Sequence, residues 1–274
     1  MQFQTHTLKE PLKDYIESIF HFSGFSPDHS IERVVPTTHL YIVFELDGFE
    51  RKVYNNSTLK PIQNYKDAWV IGMHKNYLSI SAHQASEMLV VQFKPFGGYP
   101  FFHFPIEDLN EKILPATMMF GNELTELRTQ MKQFSEPEVR FILIENWLNH
   151  RFETKLIPPV EMLQFIESLK QAPAEKYQEV IDIYPYTQKH LIDQFKKYVG
   201  YTPKYFQRIL RFGEILQRIH KKDRIEWTQI AYQCGFSDQS HFIKEFKHFS
   251  GFNPKAFISQ DLNYEETNFF PIDR

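Results

Sequence analysis

A stretch of this chain occurs twice. Residues 187–206 read TQKHLIDQFKKYVGYTPKYF, and residues 238–257, 51 positions further on, read DQSHFIKEFKHFSGFNPKAF. His190 and His241, Ile192 and Ile243, Phe195 and Phe246, Lys196 and Lys247 correspond, as do Gly200 and Gly251, Pro203 and Pro254, Lys204 and Lys255, and Phe206 and Phe257. Unrelated segments agree at about one position in twenty, so the chain folds two copies of one small unit.

The shared residues dictate what that unit is. Gly200 and Gly251 suit the left-handed backbone position that ends a helix. Thr202 and Asn253 can cap the helix that follows, with Pro203 and Pro254 at its first position. Thr187 and the Ser237-Asp238 pair are caps for the helices that run up to the glycines. Leu191 and Phe195, or Phe242 and Phe246, lie four apart and give each of these helices one buried face. A shorter helix precedes each, over 226–233 in the second copy, and Cys234-Gly235-Phe236 then makes a tight turn. Helix, glycine turn and capped helix form a helix-turn-helix, whose second helix reads the DNA major groove. In the first copy Tyr184-Pro185-Tyr186 replaces the glycine turn. Between the copies, Pro203 to about Lys222 reads as one helix with Phe206, Ile209, Leu210, Leu216 and Ile219 for packing. Its length of roughly 28 Å is close to the ~34 Å between successive major grooves.

The N-terminal half has a different texture. Segments 40–46, 68–72, 77–81 and 88–93 are short, β-branched and aromatic, and are separated by Asp47-Gly48, Asn55-Asn56-Ser57, Pro95 and Gly97-Gly98. That spacing predicts a β-barrel or sandwich. Helical spacing follows at Leu124, Leu127, Met131 and Phe134. Pro137 then opens a helix through about Arg151. Its apolar residues, Val139, Phe141 to Ile144, Trp147 and Leu148, go more than halfway round, so it is either buried on several sides or part of a subunit interface. The expected fold class is α+β. A β-rich sensor or dimerisation domain with flanking helices spans 1–152, and a linker spans 153–159. An all-α domain of two helix-turn-helix units joined by a long helix spans 160–260, and a tail spans 261–274.

Composition narrows the function. The single cysteine, Cys234, excludes an intrachain disulfide framework and a Cys-rich zinc site. It reads as a buried apolar group, with redox sensing as the alternative. His21, His29, His39, His74, His83 and His103 show no close His-x-His with a following Glu, so structural histidines are expected and no metal or cofactor. Gly97-Gly98 is followed by no Gly-Lys-Ser/Thr and reads as a turn. Trp69, Phe93, Phe101 and Phe102 could line an apolar pocket, though strand aromatics are more often core. The amino terminus lacks a basic start before an apolar stretch, and no apolar run approaches the ~20 residues of a membrane span. A soluble cytoplasmic protein is expected.

The segment Ile230-Ala-Tyr-Gln-Cys-Gly-Phe-Ser-Asp-Gln-Ser-His-Phe242, with Phe246-Lys247, Gly251 and Pro254, resembles the signature of the AraC/XylS family of bacterial transcription regulators. Leu191, Phe195, Gly200, Pro203, Tyr205 and Arg211 are similar to that family's more variable first motif. The resemblance covers about 158–260. Residues 34–44, 70–72 and 91–98 resemble, less specifically, a cupin-like sensor domain found in some of these regulators. The resemblance implies two recognition helices, about 188–199 and 239–249, entering successive major grooves of double-stranded promoter DNA. It further implies RNA polymerase as a partner and control by a small effector in the N-terminal domain; a homodimer is expected on other grounds, because one modestly basic copy would bind weakly.

Carried over residue by residue, the family's base-reading positions fall on Gln188, Lys189, Ile192 and Asp193 in the first unit. In the second they fall on Gln239, Ser240, His241, Ile243 and Lys244. Lysine can donate to guanine, glutamine can pair with adenine, and isoleucine can touch a thymine methyl. Asp193 departs from the basic or amide residue expected there. Lys196, Lys197, Lys204, Lys247 and Lys255 are candidate phosphate contacts. His190 and His241 read as packing or capping residues, with a phosphate contact as the alternative for His241. The competing function is a small-molecule-binding or enzymatic β-barrel with an accessory helical domain. That reading needs a paired acid and base, a metal cluster or an activated nucleophile, and none is legible; Glu45, Asp47 and Glu87 are ordinary strand-end carboxylates.

Charge first argues against a nucleic-acid partner, because the whole chain is −3. Over 158–260, however, 15 Lys and Arg stand against 11 Asp and Glu, a net +4; the remaining 16 against 23 give −7. The acidic half masks a modestly basic one. An excess that small implies weak, salt-sensitive binding by one copy.

Overall fold

A computed structural model describes residues 1–220, 225–258 and 269–273. The N-terminal half is two antiparallel sheets followed by helices. Its strands are β1 Gln2–Thr5, β2 Ile16–Phe25, β3 Ile31–Val34, β4 Leu40–Glu45, β5 Arg51–Tyr54, β6 Pro61–Tyr65, β7 Ala68–Ile71, β8 Leu78–Ser81, β9 Ser86–Phe93 and β10 Ile113–Pro115. A further strand, β11 Phe269–Pro271, comes from the far end of the chain. One sheet runs β1-β2-β9-β4-β7-β10 and the other β11-β3-β8-β5-β6.

Strand alternation divides the six-stranded sheet between two cores. Leu89, Val91 and Phe93 of β9, with Leu40, Ile42 and Phe44 of β4 and Ala68 and Val70 of β7, join the large core under the helices. The intervening Met88, Val90, Tyr41, Val43, Trp69 and Ile71 face the second sheet and pack with Val53, Tyr65, Leu78 and Ile80.

The four strands read from the sequence are β4, β7, β8 and β9. The longest strand, β2, was not among them. Irregular register between Ile16 and Ser18 and again between Ser23 and Phe25 breaks its alternation, so Ile16 and Ile19 both reach the core three positions apart.

The helices are α1 Tyr99–Phe102, α2 Thr117–Phe120, α3 Glu123–Met131, α4 Pro137–Arg151, α5 Val160–Gln171, α6 Tyr177–Ile181, α7 Gln188–Val199, α8 Pro203–Ile219, α9 Trp227–Gln233, α10 Gln239–Ser250 and α11 Pro254–Ile258. The interior accounts for Phe141, Ile144 and Leu148 of α4, but Ile142 is 53% exposed. Arg140, also on α4, is buried against β2 and β9. It donates to Glu87 and lies 2.8 Å from His21 Nε2.

The end of the chain is more than a tail. Phe269, Phe270 and Pro271 pair with Val34, Arg33 and Glu32 of β3, and Pro271 is tolerated because β11 is an edge strand. The Asp273 carboxylate accepts from the Ser30 and Ile31 backbone N–H groups at 3.1 and 2.9 Å. Phe270 packs on Phe257 of α11 at 4.6 Å between ring centroids. The expectation of a tail over 261–274 is therefore corrected for 269–273; 259–268 lie outside the described residues. Three residues are too few to show a strand period.

The helical half shares the large core with the sheets. Asn110 Nδ2 donates to Gly200 O at 2.6 Å, and Tyr201 OH to Met73 O at 2.8 Å. Tyr205 OH donates to Lys75 O at 3.2 Å. Arg33, on β3, is sandwiched between the Tyr77 and Phe252 rings and donates to Ser250 O at 3.4 Å.

Two predictions follow from this packing. Gly251 has φ +71°, and a Cβ there would lie 2.3 Å from the Tyr77 ring. Gly251→Ala should lower stability by about 2 kcal/mol in urea unfolding. An unchanged midpoint would contradict the seat described. Hydrogen bonding with His21, aided by Arg140, holds the Glu87 carboxyl at about 2 against an ordinary 4.5. A depressed carboxyl stabilises the fold above its unfolded value and loses that contribution as pH falls through the folded one. Wild type should therefore lose stability between about pH 4.5 and 2, and Glu87→Gln should flatten that part of the curve.

Candidate nucleic-acid interface

Each recognition helix starts on a side-chain cap. The Thr187 hydroxyl accepts from His190 N at 3.2 Å, and the Asp238 carboxylate from His241 N at 2.8 Å. That backbone N–H holds the Asp238 carboxyl below the usual carboxylate range. Each helix ends at a glycine of positive φ, +107° at Gly200 and +71° at Gly251. Leu191 and Phe195 of α7, and Phe242 and Phe246 of α10, are fully buried. Thr202 Oγ1 caps α8, accepting from Tyr205 N at 3.3 Å. The connecting helix has 17 residues, roughly 26 Å at 1.5 Å per residue. The expected extension to Lys222 is cut short at Ile219, because His220 leaves the helix with ψ 130°; 221 and 222 lie outside the described residues.

Opposite the buried stripes lie the expected base-reading positions. Gln188, Lys189 and Asp193 are exposed on α7, and Ile192 is half-buried. On α10, Gln239, Ser240, His241 and Lys244 are exposed, and Ile243 is half-buried at the edge of the core. Lys204 and Lys247 are exposed. The side chain of Lys255 lies outside the described residues. Lys196 and Lys197 are placed differently. Lys196 Nζ is 3.7 Å from the Glu107 carboxylate, and Lys197 Nζ is 5.0 Å above the Tyr99 and Tyr198 rings. Both lysines are half-buried against the N-terminal half, because Gly200 brings that end of α7 onto it.

The paired histidines each meet an aromatic residue of the preceding turn. His190 lies 3.3 Å from Tyr184 OH, and the His241 ring is 5.3 Å from Phe236. Cys234 is fully buried, and burial pushes its thiol up to about 11. Arg208 carries no local sequence signal. Its guanidinium forks onto Glu245 at 2.9 and 2.7 Å, tying α8 to α10. Glu245 lies 37 positions away, so no local spacing could reveal the pair.

A second feature lies between the sheets. Phe20, Phe22, Tyr41, Ile71, Leu78, Ile80 and Met88 pack around the smaller core and stay partly exposed. Polar groups lie among them. Ser18 Oγ donates to Gln92 Oε1 at 2.9 Å, Gln92 Nε2 lies 3.5 Å from Tyr41 OH, and Tyr41 OH is 2.9 Å from Thr37 Oγ1. Trp69 Nε1 and Arg51 Nε donate to buried Glu45, at 3.0 and 2.8 Å. Phe93, Phe101 and Phe102 are plain core on the other side. The N-terminal histidines serve local contacts: His29 is 2.9 Å from Glu32, His39 is 2.9 Å from Phe93 O, and His83 is 2.8 Å from Ser81.

A helix-turn-helix domain family matches residues 182–260. Residues 182–260 are an AraC-type helix-turn-helix domain. Residues 4–115 match a domain family of unknown function, DUF6597. The chain is similar to the HTH-type transcriptional activator RhaS of Pectobacterium carotovorum subsp. carotovorum, 36% identical over 73 residues. That match covers 27% of this chain and 26% of the relative. RhaS of Escherichia fergusonii is 29% identical over 85 residues, 31% of this chain and 30% of the relative. The match thus spans about a quarter to a third of these curated relatives. ToxT from Vibrio cholerae aligns along 94% of this chain and 98% of its own at 12% identity, with a TM-score of 0.45, too slight a likeness to inform the fold.

Burial predicts an inert thiol. Cys234 should react with a thiol reagent only in denaturant, and rapid labelling of the native AraC-type domain would contradict its placement.

Proposed function

We propose that this protein is a sequence-specific DNA-binding transcription regulator. The observation that carries the reading is the pair of capped, amphipathic helices with exposed N-terminal ridges, joined by a connecting helix of roughly 26 Å. In this reading α7 and α10 enter successive major grooves. Gln188, Lys189, Ile192, Asp193, Gln239, Ser240, His241, Ile243 and Lys244 face the bases, and Lys204 and Lys247 face phosphates. The +4 excess of the helical half is small, so one copy should bind weakly. Pairing through the N-terminal half would double the contacts, and the exposed Ile142 of α4 favours that half as the place of pairing. RNA polymerase is the expected partner at the promoter.

The partly exposed apolar residues around the smaller core, with the polar group beside them, favour an effector with an apolar body and one hydrogen-bonding end. The apolar part would lie on Phe20, Phe22, Ile71, Leu78 and Met88, and the polar end on the Ser18–Gln92–Tyr41 group.

Band shifts on the intergenic DNA beside the protein's own gene, at rising salt, test the DNA reading. Lys244→Ala should weaken binding and change base preference, whereas Lys247→Ala should weaken it without changing preference and reduce the salt slope by about 1. A Lys244→Ala protein with unaltered affinity and preference would show that this face does not read bases. Gln92→Leu should remove the thermal stabilisation that effector-bearing cell extract gives the wild type, and retained stabilisation would place the ligand elsewhere.

A further inference from the structure

The two helix-turn-helix units differ in their turns. In the second, one aromatic residue suffices: Phe236, 4% exposed, packs 5.3 Å from His241 and 5.5 Å from Phe242. In the first, Tyr184 does the same work. It is 8% exposed, and its ring lies 6.0 Å from His190 and 5.5 Å from Phe165. The core of the first turn is thereby closed, yet the turn holds a second aromatic residue, Tyr186, where the second unit has Ser237.

Tyr186 is 55% exposed and held in place, its ring 4.9 Å from His190 and 5.7 Å from Tyr184. It immediately precedes the Thr187 cap and so stands at the entrance of α7, beside the exposed Gln188 and Lys189. Ile183, in the same turn, is 60% exposed. The rest of α7 is poorly equipped to meet a polyanion. Asp193 is a carboxylate, Lys196 is turned to Glu107, and Lys197 lies on Tyr99.

We propose that Tyr186 is a DNA contact of the first unit. Its phenol donates to a backbone phosphate oxygen, and its ring, with Ile183, covers the adjoining deoxyribose. The proposal rests on the DNA-binding reading above. Such a contact positions without specifying sequence: it seats the N-terminal turn of α7 in its groove and offsets the repulsion from Asp193.

The test uses full-length protein and duplexes that it selects from a random-sequence pool. Tyr186→Phe keeps the ring against His190 and removes only the donor. It should weaken binding about tenfold, the usual worth of a hydrogen bond to a charged group, and Tyr186→Ala should weaken it further. Neither should change the preferred sequence or the slope of log affinity against log salt, because a neutral phenol releases no counterion. Lys247→Ala, by contrast, should reduce that slope by about 1. Thermal unfolding of Tyr186→Phe should match wild type, which separates lost contact from lost fold. Wild-type affinity in Tyr186→Phe and Tyr186→Ala, with Lys247→Ala weakened, would overturn the proposal and leave the DNA reading intact. A wild type that selects no duplex would overturn the DNA reading and this proposal with it.

Discussion

Gly200 and Gly251 each end a recognition helix, and each is also a point where its unit touches the N-terminal half. A Cβ at Gly200 would lie 2.7 Å from Asn110 Oδ1 and 3.0 Å from Met73 Cε; one at Gly251 would lie 2.8 Å from an Arg33 guanidinium nitrogen. Positive φ and close approach coincide in both copies, so helix termination and docking depend on the same missing side chain. Around these points gather Asn110, Tyr201 and Tyr205 for the first unit and Arg33 for the second. Arg33 also belongs to the strand that β11 joins. The end of the chain therefore braces the sheet against which the second unit rests.

This seating governs which charges each recognition helix presents. The C-terminal end of α7 gives Lys196 and Lys197 to the N-terminal half, while Lys247, the repeat partner of Lys196, stays exposed on α10. Two units that are near-copies in sequence are thus unequal in electrostatics. The second carries exposed cations along its ridge; the first relies on its N-terminal edge. The N-terminal half is acidic, and Glu107 is one place where that acidity is used. Its charge compensates a lysine of the helical half at a distance no sequence window could span.

The helical half was legible because its signals are local. Caps fall within three residues of the N–H groups they satisfy, the glycines sit where their helices end, and the buried stripe repeats every three to four positions. Thr187, Thr202, Asp238, Gly200 and Gly251 all act as those local rules require. The sheets were half legible. The strands β4 and β9 stand out as short, mostly buried apolar runs, whereas β2 is bulged and most of β6 is exposed, so neither of those displays a period. What the sequence could not show is long-range: Arg208 with Glu245, Lys196 with Glu107, and the return of 269–273 to β3. Each joins residues tens to hundreds of positions apart, and no spacing rule links them. The base-facing ridge was placed by family resemblance, and its exposure is consistent with that placement.

The central claim is that the two units joined by α8 act together on one face of a duplex. Hydroxyl-radical footprinting of a selected duplex tests it most directly. The account predicts two protected patches on the same face, with centres about 10 base pairs apart, and loss of one patch alone when Gln239, Ser240 and Lys244 are replaced by alanine. A single patch in the wild type, or protection that vanishes as one block in the variant, would contradict it.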